Sequence, residues 1–146
     1  MSITLSQASA IVDVALKKAR ELKQMPQTVV VLDAGGHVVC AKREDGSGII
    51  RFEIARGKAY GALGMGWGSR TMMERAAQNP NFLAAIVAAS EGRLVPNPGG
   101  VLIRDGGGAI IGAVGISGDT ADNDEIVAVA GIEAAGLKAD PGGTKK

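Results

Sequence analysis

Residues 92–125 constrain the fold more than any other part of the chain, because they combine two apolar runs, glycine turns and the start of a helix. The runs at 101–104 and 109–117 are joined by a turn at 105–108, which predicts a β-hairpin. The second run leads into a polar loop, residues 117–120, and then into acidic and amide residues. A strand that delivers such a loop to a helix N-terminus is a common way to build a ligand pocket. This stretch therefore predicts where a ligand site lies, without naming the ligand.

The rest of the chain predicts a second hairpin and several helices. Thr4 and Gln7 form a capping box before a helix-spaced apolar pattern that ends near Pro26. The apolar run 28–32 and the segment 37–43 flank a glycine turn, which is typical of paired strands. Further predicted helices cover about 49–64, a short stretch after 71, about 82–90, and a last segment capped by Asp122 or Thr120. A short strand is expected at 93–95.

These elements follow the order α-β-β-α-α-α-β-β-β-α, with no internal repeat. Because hairpins join neighbouring strands, the order predicts an antiparallel sheet with helices before, between and after it. We expect one domain over residues 1–139 and a flexible tail at 140–146, since the tail is rich in glycine and lysine.

Composition narrows the classes of function. The chain of 146 residues is 46% hydrophobic but only 3% aromatic, so its core is built from Ala, Val, Ile and Leu. The net charge of +1, without a basic run, predicts that nucleic acid is not a partner. No apolar run is long enough for a membrane span, and none resembles a signal peptide. With a single cysteine, Cys40, the chain is expected to be cytoplasmic.

Cations and glycines form the first group of candidate ligand-binding residues. Arg43, Arg56 and Lys58 lie near the glycine-rich segments and could pair with a carboxylate. Lys58 stands in an otherwise small and apolar helix, so it either extends outward to solvent or points into a pocket. The Gly99–Gly100 pair is either a simple turn or a backbone-amide lining for an anion.

Asp119, Thr120 and His37 form the second group. Asp119 precedes the last helix and is a candidate acid or base, whereas the acids that follow it suit a helix N-terminus. Thr120 is either a helix cap or a ligand contact. His37, the only histidine, is either a turn residue or a metal ligand. Cys40 alternates with apolar neighbours and is interpreted as a small core residue.

Several motifs, in order along almost the whole chain, resemble the GlcG/HbpS-like family, whose domain also forms the C-terminal part of PduO-type proteins. The matching pieces are Asp33-Ala34-Gly35-Gly36-His37, Arg43 with Asp45-Gly46, Gly57-Lys58-Ala59, Pro98-Gly99-Gly100-Val101, residues 112–118, and Asp124-Glu125. The resemblance implies a profilin/PAS-like α/β sandwich, in which a five-stranded antiparallel sheet is flanked by helices on both faces. It also implies homo-oligomers, often octamers.

The same resemblance leaves the function open between three classes. Some relatives bind haem, and by position Thr120 matches their iron-contacting threonine, with His37 as the other candidate ligand if haem is bound. This implies a binding module for haem or another small anion, with its site near a subunit interface. We expect the site to be formed by Arg43, Lys58, Gly99, Gly100, Asp119 and Thr120. Other relatives are encoded beside glycolate, propanediol or glycerol catabolism genes, which implies an enzyme or accessory factor acting on a small hydroxy acid or aldehyde. The third class is an oligomerisation unit without a ligand.

Overall fold

The structure is a computed structural model, and it describes residues 1–144. Ten elements follow one another along these residues: α1 (Leu5–Glu21), β1 (Thr28–Asp33), β2 (Val38–Arg43), α2 (Arg51–Met65), α3 (Ser69–Gln78), α4 (Pro80–Ala89), β3 (Gly100–Arg104), β4 (Ile110–Ser117), α5 (Ala121–Ala134) and β5 (Lys138–Asp140). Among the described residues, no helix has the length and apolarity needed to cross a bilayer.

The five strands form one antiparallel sheet in the order β2-β1-β4-β3-β5. Both predicted hairpins are present, as the β1–β2 and β3–β4 pairs. β1 and β4 lie side by side, with Val30 opposite Gly115 and Val31 opposite Val114. β2 and β5 form the two edges of the sheet. The prediction of a five-stranded antiparallel sheet is therefore confirmed.

Helices cover both faces of this sheet, as predicted. Because side chains alternate along a strand, Val29 and Val31 face α1 and α5, whereas Val30 and Leu32 face α2. α2 lies unusually close to β4, since a Cβ on Gly115 would collide with the backbone carbonyl of Ala55. The sheet thus separates two apolar clusters, one beneath α1 and α5 and the other beneath α2.

The start of α1 shows the predicted capping box. The Thr4 hydroxyl accepts a hydrogen bond from the Gln7 amide at 3.1 Å, and the Gln7 side-chain oxygen accepts one from the Thr4 amide at 3.0 Å. Such a cap stabilises a helix by about 1 kcal/mol. Local sequence is therefore sufficient to set where this helix begins.

One predicted strand is wrong, and another was missed. Residues 93–95 pack against α2 instead of joining the sheet, where the Val95 amide donates to the carbonyl of Gly57 at 3.2 Å. Leu94 fills the space left open by the missing side chain of Gly61. The fifth strand is β5, which pairs with β3 and has only three residues. Such a short run gives no periodic signal in the sequence.

The segment that was expected to be a flexible tail begins inside β5, with Asp140 opposite Leu102. Residues 141–143 then run along the start of α3, where the Pro141 carbonyl accepts a hydrogen bond from the Arg70 amide at 3.3 Å. The Gly143 amide donates to the Thr71 hydroxyl at 2.8 Å. The last two residues of the expected tail, 145 and 146, lie outside the described residues.

Candidate functional site

A buried polar network joins α2, β4 and α5. The ammonium group of Lys58 lies 3.0 Å from a carboxylate oxygen of Asp124 and 2.9 Å from the carbonyl oxygen of Ile116, and donates to both. The other carboxylate oxygen of Asp124 accepts hydrogen bonds from the Gln27 side chain at 2.9 Å and from the Asp119 amide at 3.0 Å. Asp124 is thus the centre of the network, a role that the sequence did not assign to it.

Lys58 neither reaches solvent nor lines an open pocket. The residue is 3% exposed and Asp124 is 1% exposed. Burial lowers the pKa of Lys58, and the neighbouring Asp124 carboxylate acts in the opposite direction. Because Lys58 is buried as well as paired, a surface ligand could reach it only if the surrounding loops opened.

The Gly99–Gly100 turn lies against this network. Gly99 has φ +116°, and a Cβ there would lie 2.9 Å from the ammonium nitrogen of Lys58. The Gly100 amide donates to the Ser69 hydroxyl at 2.8 Å. The glycines therefore allow close packing, and the Gly100 amide is not free for an anion.

Asp119 and Thr120 organise the loop between β4 and α5. The Asp119 carboxylate accepts hydrogen bonds from the Met25 amide at 2.7 Å, from the Thr120 amide at 2.7 Å and from the Asn123 side chain at 2.8 Å. The bond from Met25 is the largest cause of a lowered pKa of Asp119, and the other two bonds act in the same direction. The Thr120 hydroxyl accepts from the Asn123 amide at 3.2 Å, so it caps α5.

Arg43 and His37 lie at opposite ends of the edge strand β2. The Arg43 guanidinium is exposed and donates to the Ser47 carbonyl at 2.8 Å. The His37 side chain is 80% exposed, and its Nδ1 lies 3.1 Å from an Asp33 carboxylate oxygen. Hydrogen bonds from the backbone and ring of His37 lower the pKa of Asp33. Among residues 1–144, the Nε2 atom of His37 has no hydrogen-bond partner.

An open cleft lies on the outer side of α2, with a volume of about 260 Å³. We call it the Tyr60 cleft, and its lining consists of Phe52, Glu53, Arg56, Gly57, Tyr60, Glu91, Gly92 and Arg93. The Arg93 guanidinium lies over the Tyr60 ring, 5.7 Å from its centroid. The side chains of Arg56 and Arg93 form neither an ion pair nor a hydrogen bond with the described residues.

A second cleft adjoins the first at the start of α2. Its volume is about 480 Å³, and it is lined by Thr28, Ala41, Lys42, Arg43, Ile49, Phe52 and Glu53. The two clefts share Phe52 and Glu53. At the other end of the Tyr60 cleft, the turn that precedes His37 lies close, since a Cβ on Gly36 would be 4.0 Å from the Tyr60 ring.

The fold therefore divides the candidate residues into two groups. One group meets at the Asp124 network and consists of Lys58, Gly99, Gly100 and Asp119. The Lys58 ammonium, the Gly100 amide, and the amide and carboxylate of Asp119 are already hydrogen-bonded there. Arg43 lines the second cleft and His37 lies near the first. The i, i+4, i+8 spacing of Phe52, Arg56 and Tyr60 places them on one side of a helix and could have indicated the Tyr60 cleft. Residues 91–93 form the opposite wall of the Tyr60 cleft, and no spacing in the sequence indicates their position there.

The described residues contain no group of three or more His, Cys, Asp or Glu side chains that could hold a metal ion.

The architecture, with α1 and α5 on one face of an antiparallel sheet and α2 on the other, defines an α/β fold of the HbpS type. The family described as "Haem degrading protein HbpS-like" matches residues 3–133, and the chain belongs to that family. The predicted family is thus confirmed.

Relatives and solved structures agree with this assignment. A 15.0 kDa protein from the dhaT–dhaS intergenic region of Citrobacter freundii is 29% identical over 132 residues, which cover 90% of this chain and 91% of that protein. The PduOC:heme complex has a TM-score of 0.84 at 23% identity and covers 94% of this chain and 97% of its own. HbpS has a TM-score of 0.79 at 25% identity, with 92% and 90% covered. ORFY of Klebsiella pneumoniae has a TM-score of 0.82 at 25% identity, also with 92% and 90% covered.

Proposed function

We propose that this chain binds a small anionic or haem-type ligand in the Tyr60 cleft. The observation that carries the proposal is the combination, in one cleft, of two of the chain's few aromatic rings with two arginines that have no polar partner among the described residues. Phe52 and Tyr60 offer apolar surface to a flat ligand, and Arg56 and Arg93 offer charge-assisted hydrogen bonds to carboxylates. The membership of the HbpS-like family supports the same class of ligand.

The charges of the cleft limit the ligand that it accepts. Glu53 and Glu91 line the cleft together with Arg56 and Arg93, so its formal charges sum to about zero. One or two carboxylates can pair with the guanidinium groups, whereas a polyphosphate would bring more negative charge than they can offset. Haem and small carboxylic acids meet this limit.

The size of the cleft separates these two kinds of ligand. Sites for drug-sized ligands enclose about 300–1,000 Å³, and the Tyr60 cleft has a volume of about 260 Å³. A small hydroxy acid fits within that volume, but haem fits only in part. A haem-bound form therefore needs the rest of the macrocycle to be exposed or covered by a second subunit.

Haem also needs an axial ligand, and His37 is the residue that we propose for it. Its Nδ1 faces Asp33, which fixes the ring and leaves Nε2 available, as is usual for a metal-ligating histidine. The turn that carries His37 lies beside Tyr60. The Thr120 hydroxyl is already used as the cap of α5, which makes it the weaker candidate. Bound haem would supply a redox-active iron, and this chain's residues would hold and orient it.

The alternative function is an enzyme or accessory factor for a small hydroxy acid or aldehyde. Two observations favour it: the volume of the cleft suits a small ligand, and the Citrobacter relative comes from the dhaT–dhaS intergenic region. Asp119 is a poor acid or base for such a reaction, because both of its carboxylate oxygens already accept hydrogen bonds within the loop. Glu53 and Glu91, which line the cleft, are the better-placed carboxylates.

A haemin titration followed by the Soret band tests the proposal. Removing both cleft guanidiniums in R56Q/R93Q should weaken binding about 10–100-fold, because a hydrogen bond to a charged group is worth about 1.5–3 kcal/mol. H37A should shift the Soret maximum, since the axial ligand changes. The matched control is R75Q, because Arg75 lies over Trp67 and does not line the cleft.

A non-saturating signal, or equal affinity in wild type and R56Q/R93Q, would refute the haem form of the proposal. Small carboxylates should compete with haemin for the same cleft. If they bind to the wild type and not to R56Q/R93Q while haemin does not bind, the alternative function is favoured.

A further inference from the structure

Glu91 follows the end of α4 in a backbone conformation that suits glycine better than glutamate. Its φ angle is +58°, and within residues 1–144 the only other non-glycine residue with a positive φ is Lys23. The Glu91 amide donates to the Ala88 carbonyl at 3.0 Å. The Gly92 amide donates to the Val87 carbonyl, also at 3.0 Å, and the two bonds together form a Schellman cap. Glycine is the usual residue at the position that Glu91 holds, because a Cβ is crowded there.

The charge of Glu91 is also unfavourable for the helix that precedes it. The C-terminal end of a helix carries a partial negative charge, which disfavours acidic side chains. The last turn of α4 contains no basic side chain that would offset this effect. Within the described part of the chain, the Glu91 carboxylate forms no ion pair. A glutamate that is unfavourable both in conformation and in charge points to a function at this position.

The position of Glu91 indicates what this function is, because Glu91 lines the Tyr60 cleft. Glu53 lines it from α2, and Arg56 and Arg93 line it as well. None of these four charged side chains forms an ion pair with another residue among 1–144. Charges of both signs therefore share one cleft without neutralising each other. A ligand with carboxylates alone would pair with the arginines but leave both glutamates facing its negative charge.

We infer that the Tyr60 cleft takes a zwitterionic ligand, an α-amino acid with an apolar side chain, and that Glu91 binds its ammonium group. The inference rests on the small-ligand form of the proposed function, since the ligand's carboxylate lies on Arg56 or Arg93. Its apolar side chain packs on Phe52 and Tyr60. An ammonium group donates charge-assisted hydrogen bonds to a carboxylate, which supplies the pairing that Glu91 lacks. Such a ligand has no net charge, in agreement with the balanced charges of the cleft.

Isothermal titration calorimetry with three matched ligands tests the inference. L-phenylalanine carries both charges, 3-phenylpropionate lacks the ammonium group, and 2-phenylethylamine lacks the carboxylate. Wild type should bind L-phenylalanine at least about 10-fold more tightly than either of the others, because each of them leaves one kind of charge in the cleft unpaired. Equal affinity for L-phenylalanine and 3-phenylpropionate would overturn the inference.

The variant E91Q tests the role of Glu91 itself, since it keeps the shape of the side chain and removes the charge. It should weaken the binding of L-phenylalanine about 10-fold or more and should not weaken the binding of 3-phenylpropionate. R56Q/R93Q should weaken the binding of both. Circular dichroism checks that each variant is folded. If E91Q binds L-phenylalanine as tightly as wild type, Glu91 does not bind the ammonium group.

The variant E91G separates a role in binding from a role in the fold. Glycine relieves the strained conformation, so E91G should raise Tm by about 2–4 °C while the preference for L-phenylalanine is lost. K23G is the matched control, because Lys23 has φ +54° at the end of α1 and does not line the Tyr60 cleft. K23G should raise Tm to a similar extent and bind L-phenylalanine like wild type. A lower Tm in E91G would show that Glu91 stabilises the fold, which overturns the argument from strain.

The combined outcomes distinguish this inference from the proposed function. If L-phenylalanine and 3-phenylpropionate bind equally tightly and R56Q/R93Q weakens both, the ligand site stands and the zwitterionic ligand is wrong. If wild type binds neither of them, the inference fails, and the haemin titration decides whether the ligand site stands. If L-phenylalanine is preferred but R56Q/R93Q binds it like wild type, its carboxylate lies elsewhere and both proposals fail.

Discussion

Replacing Lys58 by methionine should destabilise the fold strongly, because it leaves the Asp124 carboxylate buried without its cation. Breaking a buried ion pair by removing one partner typically costs about 3–5 kcal/mol. Asp124 keeps two donors in this variant, the Gln27 side chain and the Asp119 amide. The expected loss therefore lies at the lower end, about 3 kcal/mol out of a total stability of about 5–15 kcal/mol.

Removing both charges should cost much less than the sum of the single changes. In K58M/D124L no buried charge remains unpaired, and exchange of a buried pair for apolar side chains is often nearly neutral. We therefore expect a large coupling energy in the double-mutant cycle, because the double variant should lose far less stability than the two single variants together. K17M is the control, since Lys17 is exposed on α1.

Urea unfolding and thermal unfolding, followed by circular dichroism, provide the assay. A loss of about 3 kcal/mol should lower Tm by roughly 6–12 °C in a chain of this size. If K58M is as stable as K17M, the buried pair does not hold α2, β4 and α5 together, and the structural interpretation of Lys58 is wrong.

Three further changes test other parts of the account. D119N should make the stability depend less on pH in the acid range. Because the pKa of Asp119 is lowered in the folded state, its carboxylate stabilises the fold above the ordinary value of 3.8. This stabilisation is lost as the pH falls through the folded-state pKa. Comparison of Tm at pH 7 and pH 3 in wild type and D119N measures this, and an equal drop in both would contradict it. T120A should lose about 1 kcal/mol of stability in urea unfolding, because the cap of α5 is removed. It should leave the Soret band of a haemin complex unchanged. A Soret shift in T120A would favour Thr120 over His37 as the iron ligand. G115A should lower the free energy of unfolding by about 1–3 kcal/mol or more, because its Cβ meets the carbonyl of Ala55. G64A places its Cβ in open space, so it should stabilise α2. Equal urea midpoints for the two variants would show that the close approach of α2 to β4 is not needed.

The sequence predicted the fold well where local chemistry decides the structure. The glycine turns at 33–36 and 105–108 join paired strands as predicted, and the Thr4 capping box fixes the start of α1. It failed at residues 93–95, because this short segment packs on α2, where the Val95 amide donates to the Gly57 carbonyl, instead of pairing with a strand. The choice was made by Gly57 and Gly61, whose missing side chains allow this segment to approach α2.

The candidate site was harder to predict, because burial and pairing are properties of the whole fold. Lys58, Gly99 and Asp119 do meet, but around Asp124, which the sequence analysis treated as a helix-end acid. Once these polar groups are paired, they are poor candidates for a ligand. Arg56 and Arg93, whose side chains have no polar partner among residues 1–144, line the Tyr60 cleft on the outer side of α2, and no local pattern connects Tyr60 with residues 91–93.

The most direct measurement of the central claim is a crystal structure of the protein grown with haemin. The account predicts electron density for the macrocycle over Phe52 and Tyr60, with its carboxylates near Arg56 or Arg93 and the iron near His37 Nε2. Density at the Thr120 loop instead, or a structure in which the Tyr60 cleft stays empty while haemin binds elsewhere, would contradict it.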